Sequence, residues 1–221
     1  MLKVENVDVW GFEHAIRGMR NPMNSWDKSD SRYDEFIGFY EEHLDAGKTY
    51  KIGENDLELM QKLYNAGHPH RKYLRQIMVS MDITAPLYWW KEFDTYKVGT
   101  TANSCSTMHS IHKKEFGPDD FSCEYLDNFD EAMFYEWFID TVGKLNVARK
   151  LYLDTGDKIY WWQMIQLLPS SYNQKRTVTM NYENVFNILQ YRQGHKLDEW
   201  NEFCEKLKDL PYIKEIGIYG E

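Results

Sequence analysis

Apolar and polar residues alternate in two stretches of the chain, and this period of two predicts strands. The alternation is imperfect over residues 2–10 and regular over residues 76–85, where one face carries Ile77, Val79, Met81 and Ile83. Successive side chains of a strand point to opposite faces, so each stretch is expected to be half-buried in a sheet. A third, short strand is expected over residues 176–180.

Other stretches repeat apolar residues at the spacing of a helix. A helix is expected around residues 15–17, and another from a cap at Asp56 to Gly67. Further helices are predicted to begin at Pro86 and to cover residues 130–153, 158–168, 182–192 and 197–210. A polar loop at residues 21–31 precedes an amphipathic segment at residues 33–44. The mixture predicts an α+β fold in a single domain over residues 1–221.

Composition narrows the classes of partner. Hydrophobic residues make up 43% of the chain and aromatic residues 16%, which argues against disorder. The formal net charge of -9 repels a polyphosphate, so no nucleic-acid polymer is expected, although a single nucleotide is compatible. The cysteines form no C-x-x-C pair, and no apolar run approaches the roughly 20 residues that cross a bilayer. A cytoplasmic protein without a membrane partner is therefore expected.

Residues 82–109 join elements that together build a ligand pocket. An alternating strand runs into Pro86, an aromatic helix follows, and a polar loop carries Asn103 and Ser106. Ligand pockets combine apolar walls with a few convergent polar groups, which is what this order supplies. The tryptophan pairs at residues 89–90 and 161–162 lie on amphipathic helices and are expected in the core.

This segment resembles the signature segment of the flavin-dependent thymidylate synthases, the ThyX family, in which a strand ending in Pro runs into a helix carrying paired Arg and His. The resemblance continues in three further stretches, which read AIRGMRNPMNSWD, AGHPHR and LPSSYNQKRTVTMNYENVFNILQYR. They are similar to the family's N-terminal helix and Ser-bearing loop, to the His before its signature strand, and to its C-terminal strand and helix. The resemblance implies a ThyX-like fold, with a small, mostly antiparallel sheet and a helical bundle.

The resemblance also implies an activity. The family transfers a methylene group from methylenetetrahydrofolate to C5 of deoxyuridine monophosphate, with FAD bound at the subunit interfaces of a homotetramer and reducing equivalents drawn from NADPH. Arg192 matches an Arg that stabilises negative charge on the pyrimidine, and Ser106 matches a Ser that contacts the nucleotide, so both are the candidate catalytic residues. Substrate contacts are implied for Glu92, Ser106 and Arg192. Cofactor positions are implied for His70, Thr95, Tyr96, Lys97, Asn103, Ser104, Asn181 and Asn187.

The chain departs from the family at charged positions. The family's Arg-His-Arg run falls on Thr95, Tyr96 and Lys97. Arg or Glu residues of the family are replaced by Ser104, Met108, Ile165 and Glu183, and Ile165 stands where an Arg holds the substrate phosphate. Loss of two charged contacts weakens phosphate binding by about two to four orders of magnitude. Candidates to compensate are Gln163, Gln166, Lys175 and Arg176.

Glu92 stands where the family has a Gln near the pyrimidine. A carboxylate accepts hydrogen bonds but does not donate them, which favours the amino edge of a cytosine over the carbonyl edge of a uracil. The substrate is therefore either a uracil or a cytosine nucleotide.

Several alternatives stay open on sequence grounds. Arg192 near a helix C-terminus also suits a role in stabilising the helix dipole. The whole chain is alternatively a catalytically inactive module that binds a nucleotide or a protein, or a helical interaction protein with an accidental resemblance. The spacings His68-x-His70 and His109-x-x-His112 lack further ligands, so no metal site is expected. Cys105 four residues before His109 lacks an organised third group for nucleophilic catalysis.

Overall fold

A computed structural model of the chain describes residues 2–40, 43–126 and 133–217, with side chains described outside residues 36–48. The strands are β1 (Lys3–Trp10), β2 (Arg32–Tyr40), β3 (His43–Lys51), β4 (Met78–Pro86), β5 (Thr100–Ser104) and β6 (Asn173–Asn181). The helices are α1 (Phe12–Arg20), α2 (Glu54–Asn65), α3 (Leu87–Phe93), α4 (Thr107–Ser110), α5 (Met133–Thr155), α6 (Lys158–Leu167), α7 (Tyr182–Arg192), α8 (Asp198–Lys208) and α9 (Ile213–Ile216). A run of 3-10 turns spans His68–Gln76. No helix within these described residues is long and apolar enough to cross a bilayer.

The main sheet has four strands in the order β1-β4-β6-β5, and every pairing in it is antiparallel. The central strand β4 buries the alternating face that the sequence predicted, and Val79, Met81 and Ile83 are almost fully enclosed. Helices cover that face, which confirms the predicted α+β class with a small antiparallel sheet. The predicted strand at residues 176–180 extends over Asn173–Asn181 because it pairs with β4 along its whole length.

The edge strand β1 is irregular where it meets β4. Its register shifts between Glu5 and Asp8, and Asn6 takes a positive φ of 52° in between. Asp82 of β4 accepts hydrogen bonds there from Thr177 and Asn6, and it pairs with Lys175. These contacts lower the pKa of the Asp82 carboxyl to about 2.

The amphipathic segment at residues 33–44 forms most of a β-hairpin, in which β2 pairs with β3 from Arg32 opposite Lys51 to Tyr40 opposite His43. Residues 41 and 42 of the segment lie outside the described residues. At the base of the hairpin, the rings of Tyr33 and Tyr50 meet edge to face with centroids 4.9 Å apart.

The prediction that Asp56 caps the second helix is wrong. The helix begins at Glu54, and its first backbone N–H groups are satisfied by Asp30, which accepts from the amides of Asn55 and Asp56. Asp56 is fully buried instead, and it accepts from Arg20 Nε at 2.6 Å and from the hydroxyls of Ser29 and Ser31. These bonds fix the loop after α1 against α2.

An aromatic stack joins α3 to α8 and forms the centre of the larger hydrophobic cluster. Trp89 contacts Phe93, Trp200 and Phe203 with ring centroids 4.7 to 5.3 Å apart, and all four side chains are enclosed. The core prediction is thus confirmed for the pair Trp89–Trp90. For the pair at residues 161–162 it is wrong in part, because Trp162 is 46% exposed on α6.

Candidate functional site

The centre of the candidate site is an ion pair between the ends of two helices. Arg192 is the last residue of α7, and its Nη1 donates to Glu92 Oε2 of α3 at 2.8 Å. Its Nε donates to the hydroxyl oxygen of Tyr96 at 3.0 Å, so two bonds fix the plane of the guanidinium. The Arg192 side chain is 19% exposed and that of Glu92 is 35% exposed. The pair is therefore partly buried and does not extend into bulk solvent.

Two residues of the α7–α8 region complete this cluster, and sequence reasoning missed both. Trp200 Nε1 donates to Glu92 Oε2 at 3.1 Å, and its ring lies 4.7 Å from the Arg192 guanidinium carbon. His195 Nε2 lies 3.4 Å from the same carboxylate oxygen, while its Nδ1 accepts from the backbone N–H of Leu197. The neutral ring consequently carries its proton on Nε2 and directs it toward Glu92.

The cluster leaves one acceptor atom and one donor atom without a partner. Glu92 Oε1 and Arg192 Nη2 have no hydrogen-bond partner among the described residues, whereas their other side-chain polar atoms are occupied. An acceptor and a donor held on one ion pair can contact the edge of a planar heterocycle. The contacts from Tyr96, Trp200 and His195 hold both groups in place before any ligand arrives, which lowers the cost of binding.

A pocket of about 330 Å³ opens beside the cluster, between the C-terminus of α3 and β5. Its lining comprises Phe93, Asp94, Tyr96, Lys97, Thr100 and Ala102. Lys97 is exposed, so its ammonium is available to an anionic ligand. The volume lies at the lower end of the range for small-molecule sites.

The loop that borders this pocket is tied to the start of α7. Asn184 is buried, and its Nδ2 donates to Val98 O at 2.7 Å and to Thr100 Oγ1 at 2.9 Å. Asn181 caps α7 by accepting from the Asn184 amide. Gly99 has a φ of +73°, and a Cβ there would lie 2.4 Å from Asn181 Nδ2. The backbone thus approaches α7 as closely as only glycine allows.

Arg176 places a second guanidinium next to the pocket. It stacks 4.2 Å from the centre of the Trp90 ring, and its Nη1 donates to Asp94 Oδ1 at 2.7 Å. Its neighbour Lys175 pairs with Asp82 and Glu5 on the other face of the sheet. Four residues were offered from the sequence to compensate for the lost phosphate contacts, and of these Arg176 lies beside the pocket. Gln163 and Gln166 are exposed on α6.

Other predicted site residues lie apart from this cluster. Asn103 and Ser104, which the sequence placed in a loop, lie exposed on β5 opposite Thr177 and Arg176. Ser106 caps the short helix α4 by accepting from the His109 amide at 3.2 Å. Thr95 closes the end of α3 by donating to the Glu92 carbonyl oxygen. Asn187 is half-buried on α7.

His70 belongs to a separate recess of about 710 Å³, which lies between α1, α2 and the 3-10 segment. Its lining includes Met19, Leu63 and Tyr73, with His70 and Lys72 as the groups that can carry positive charge. Of the predicted cofactor residues, Tyr96 and Lys97 thus line one recess of the chain and His70 lines another.

Glu183 is a buried carboxylate in the first turn of α7, where the family resemblance leads one to expect an Arg. Its residue exposure is 5%, and neither carboxylate oxygen has a hydrogen-bond partner among the residues that the structure describes. His68 Nε2 lies 3.0 Å from Oε1 without hydrogen-bond geometry, so this contact is electrostatic. A buried acceptor without a donor is costly, and this one disfavours an anionic group nearby.

Within the described residues, no cluster of three or more His, Cys, Asp or Glu side chains is arranged to hold a metal ion. Cys105 is exposed at the end of β5, and its carbonyl oxygen accepts from Gln174 Nε2.

No family model matches the sequence, and no curated protein matches it at a significant level. Solved structures do match its fold. The flavin-dependent thymidylate synthase ThyX from Helicobacter pylori, complexed with FAD and dUMP, superposes with a TM-score of 0.67 over 96% of this chain and 96% of that chain, at 17% sequence identity.

The chain has the ThyX fold. The UMP/dUMP methylase PolB from Streptomyces cacaoi, bound with 5-Br dUMP, shares the ThyX fold at a TM-score of 0.63 and 14% identity, covering 94% of this chain and 88% of that chain. A second Helicobacter pylori ThyX structure with FAD and dUMP matches with a TM-score of 0.64 and 16% identity, covering 95% of this chain and 92% of that chain. At such identities the match defines the fold, and the fold class and the family resemblance predicted from the sequence are confirmed at that level.

Proposed function

We propose that the protein catalyses a flavin-dependent transfer of a one-carbon unit to C5 of a deoxypyrimidine nucleotide. The observation that carries this proposal is the guanidinium of Arg192, which is mostly buried and fixed by two hydrogen bonds, while its Nη2 and Glu92 Oε1 are left open among the described residues. Both ThyX and PolB, which share the fold, have been crystallised with pyrimidine nucleotides.

Each residue of the cluster has a role in this reaction. Arg192 stabilises the negative charge that develops on the pyrimidine ring, since a preorganised cation needs no reorientation during the reaction. Glu92 accepts a hydrogen bond from the base, while Trp200 and His195 orient its carboxylate. Lys97 and Arg176 bind the phosphate in place of the Arg that Ile165 replaces. Ser106, Asn103 and Ser104 contact the ligands from β5 and the turn after it.

The residues present fit FAD in part. The 330 Å³ pocket suits one ring system, and the open 710 Å³ recess at His70 offers room for the rest of a dinucleotide when a second copy of the chain brings the two recesses together. Thr95, Tyr96, Lys97, Asn181 and Asn187 would hold the cofactor on one subunit and His70 on another. When bound, FAD supplies reducing equivalents taken from NADPH, and methylenetetrahydrofolate supplies the carbon.

We further propose that the protein is a single-domain, cytoplasmic homotetramer with its sites at the subunit interfaces. Exposed apolar side chains on α5 and α6, among them Phe134, Trp137 and Trp162, supply a surface suited to association between copies.

The first test is to identify the small molecules that the purified protein carries. Denaturation followed by chromatography and absorbance of the released fraction should give FAD, and the native protein should be yellow. Arg192→Lys should keep the bound flavin but lower turnover of the nucleotide. An ammonium cannot donate to Tyr96 and Glu92 from one fixed plane, as the guanidinium does. Release of no flavin, combined with failure of added FAD to bind, contradicts the proposal.

The base is the second question, and we propose a cytosine nucleotide as an alternative to a uracil nucleotide. The open Glu92 oxygen accepts from the N4 amino group of cytosine, while Arg192 Nη2 donates to the adjacent ring nitrogen. Calorimetric titrations with deoxycytidine and deoxyuridine monophosphates decide between the two. A clear preference for the uracil form ends the cytosine hypothesis.

A second candidate function is a catalytically inactive ThyX-fold module that binds a nucleotide or a protein. It is favoured by the buried carboxylate of Glu183, which accepts no hydrogen bond from the described residues and opposes an anionic cofactor at the start of α7. Nucleotide binding without any flavin binding selects this candidate, and flavin-dependent incorporation of labelled carbon into the base rules it out.

A further inference from the structure

A third cavity, of about 740 Å³, lies between the junction of β1 with α1, the base of the β2–β3 hairpin and the turn before α9. It shares no described lining residue with the proposed nucleotide pocket or with the recess at His70. Its lining includes the aromatic side chains of Trp10, Phe12, Tyr33, Tyr50 and Tyr212. The volume is suited to a small molecule.

Contacts between these side chains hold the walls in place. Tyr212 packs edge-on against Phe12 with ring centroids 5.4 Å apart, and its hydroxyl oxygen accepts from the backbone N–H of Ile52 at 3.1 Å. Tyr33 packs against Tyr50 and donates its hydroxyl to Glu13 Oε2 at 2.8 Å. Even so, Trp10 is 44% exposed and Tyr33 is 51% exposed, so large parts of both rings face the cavity or solvent.

The charged groups of the lining have one sign. Glu13 and Glu215 both border the cavity, and the described lining contains no Lys or Arg. His14 is at the rim, where its Nδ1 lies 3.2 Å from Arg17 Nη2, a residue outside the lining. Glu13 is in the first turn of α1, where its carboxylate already complements the positive end of the helix dipole. An anionic ligand would therefore meet two carboxylates with no compensating cation.

We propose that this cavity binds a small organic ammonium ion. Aromatic faces attract a cation through their quadrupole, and the adjacent carboxylates add a direct electrostatic attraction. A methylated or alkyl-substituted ammonium fits best, because its apolar surface packs on the rings while its charge faces Glu13 and Glu215. The site is independent of the proposed nucleotide chemistry and does not require it.

Choline and its neutral carbon analogue 3,3-dimethylbutan-1-ol provide a matched pair of probes, since they have nearly the same shape and differ in charge. Isothermal titration of the full chain should show saturable choline binding, and the alcohol should bind at least about tenfold more weakly. In two-dimensional NMR spectra, choline should shift the resonances of Trp10 and Tyr33.

Variants locate the site. The double variant Glu13→Gln with Glu215→Gln should weaken choline binding at least about tenfold, whereas the surface variant Glu58→Gln should leave it unchanged. Circular dichroism and thermal unfolding verify that each variant is folded. If the double variant unfolds, the single variant Glu215→Gln takes its place, because it keeps the hydrogen bond from Tyr33 to Glu13. Equal binding of choline and the alcohol, no choline binding, or unchanged choline affinity in the folded double variant each overturns the proposal.

Discussion

The pairing of Arg192 with Glu92 places opposite charges at the point where we propose that the site contacts the base. In the free protein the carboxylate neutralises much of the guanidinium charge, so an anionic ligand gains less from Arg192 than it would from an unpaired cation. Trp200 donates a hydrogen bond to the same carboxylate oxygen, and His195 lies close to that oxygen. Both contacts keep the Glu92 side chain in its position. If the proposed function holds, selectivity for the base is expected to depend on the charge at residue 92.

Glu92→Gln tests this dependence. The amide keeps an acceptor for Trp200 and Arg192, but it adds a donor and removes the negative charge. We expect the ratio of deoxyuridine to deoxycytidine monophosphate affinity to rise by about tenfold or more, because a hydrogen bond to a charged group contributes roughly 1.5–3 kcal/mol. Calorimetric dissociation constants for both nucleotides give the ratio. Glu202→Gln, an exposed change on α8, is the control, and an unchanged ratio in Glu92→Gln contradicts the role of residue 92 in reading the base.

Asp56 is the other residue whose charge is decisive, here for stability. Asp56→Asn should lower the free energy of unfolding by about 3 kcal/mol, since it leaves the buried Arg20 guanidinium without its anionic partner. Urea titration followed by fluorescence measures the change. The exposed substitution Asp27→Asn should change it by no more than about 0.5 kcal/mol, and a similar small effect at Asp56 would show that the pair is not stabilising.

The same carboxyl predicts a pH dependence. Burial raises the pKa of Asp56, but hydrogen bonds from Ser31, Ser29 and Arg20 outweigh it and leave the pKa below its ordinary value. A group with a lowered folded pKa contributes stability above its unfolded pKa, which is about 3.9 for Asp, and that contribution is lost as the pH falls through the folded value. Wild-type stability should thus fall below about pH 4 more steeply than that of Asp56→Asn.

At the level of elements, the loop between α3 and β5 depends on α7 for its conformation. Asn184→Asp keeps the size of the side chain but replaces the donor amide with an acceptor, so the bonds to Val98 O and Thr100 Oγ1 are lost. Amide exchange of residues 94–100 should accelerate by about tenfold or more, since each bond contributes about 1 kcal/mol. Hydrogen-exchange mass spectrometry measures this, with Gln190→Glu on the exposed face of α7 as control. Unchanged exchange would mean that the loop holds its shape without α7.

The aromatic stack fixes α8 on α3 and thereby places Trp200 under the ion pair. Phe203→Ala should cost about 3–5 kcal/mol, because the side chain is fully enclosed and a cavity replaces it. Phe134→Ala removes a ring that is 50% exposed and should cost about 0.5 kcal/mol in a monomeric sample. Chemical denaturation of both variants provides the comparison, and equal costs would contradict the packing role of Phe203.

Periodicity predicted the elements whose pattern is local and unbroken. Strand β4 follows its pattern almost to the residue, because alternate positions are buried along its length. Helix α7 has the predicted bounds, although it is buried almost continuously from Tyr182 to Leu189 and not only at helical spacing. The pairing of β2 with β3 could not be found in this way, since the alternation in the segment at residues 33–44 is too weak to identify a strand. The cap of α2 comes from Asp30, which precedes Asp56 by 26 residues, so no local cap signal exists.

The site was predictable to a smaller extent. Glu92, Tyr96, Lys97 and Arg192 came from the family resemblance, and the structure brings them together around one pocket and one ion pair. Trp200 and His195 were missed because a Trp on the apolar face of a helix is typical of a core residue and a His after Gly194 is typical of a turn. Their role appears once α8 packs on α3. The functions of the individual residues remain predictions.

On the scale of the whole molecule, the apolar surface of α5 and α6 is the feature that a single chain leaves exposed. Trp137 is 64% exposed and Ile159 is 54% exposed, together with several neighbours on the same two helices. Light scattering after size-exclusion chromatography should give four times the 26.5 kDa of one chain. Trp137→Glu combined with Trp162→Glu should give a smaller species, because a charge cannot be buried there without a partner.

Val7→Glu, which changes an exposed apolar residue on β1, should leave the assembly intact and serves as the control. A monomeric wild-type protein would contradict the proposed tetramer. It would also mean that the pocket of one chain never meets the His70 recess of another, as the proposed cofactor site requires.

The shape of the main sheet limits how copies can join. One border is the short, polar strand β5, and the other is β1, which is interrupted by its irregular turn at Asn6 and carries Lys3 and Glu5. Neither border offers a long row of free backbone groups, so adding strands from another copy into a continuous sheet is disfavoured. Growth into a fibril is disfavoured for the same reason, and we expect contacts between copies to form through the helical surfaces instead.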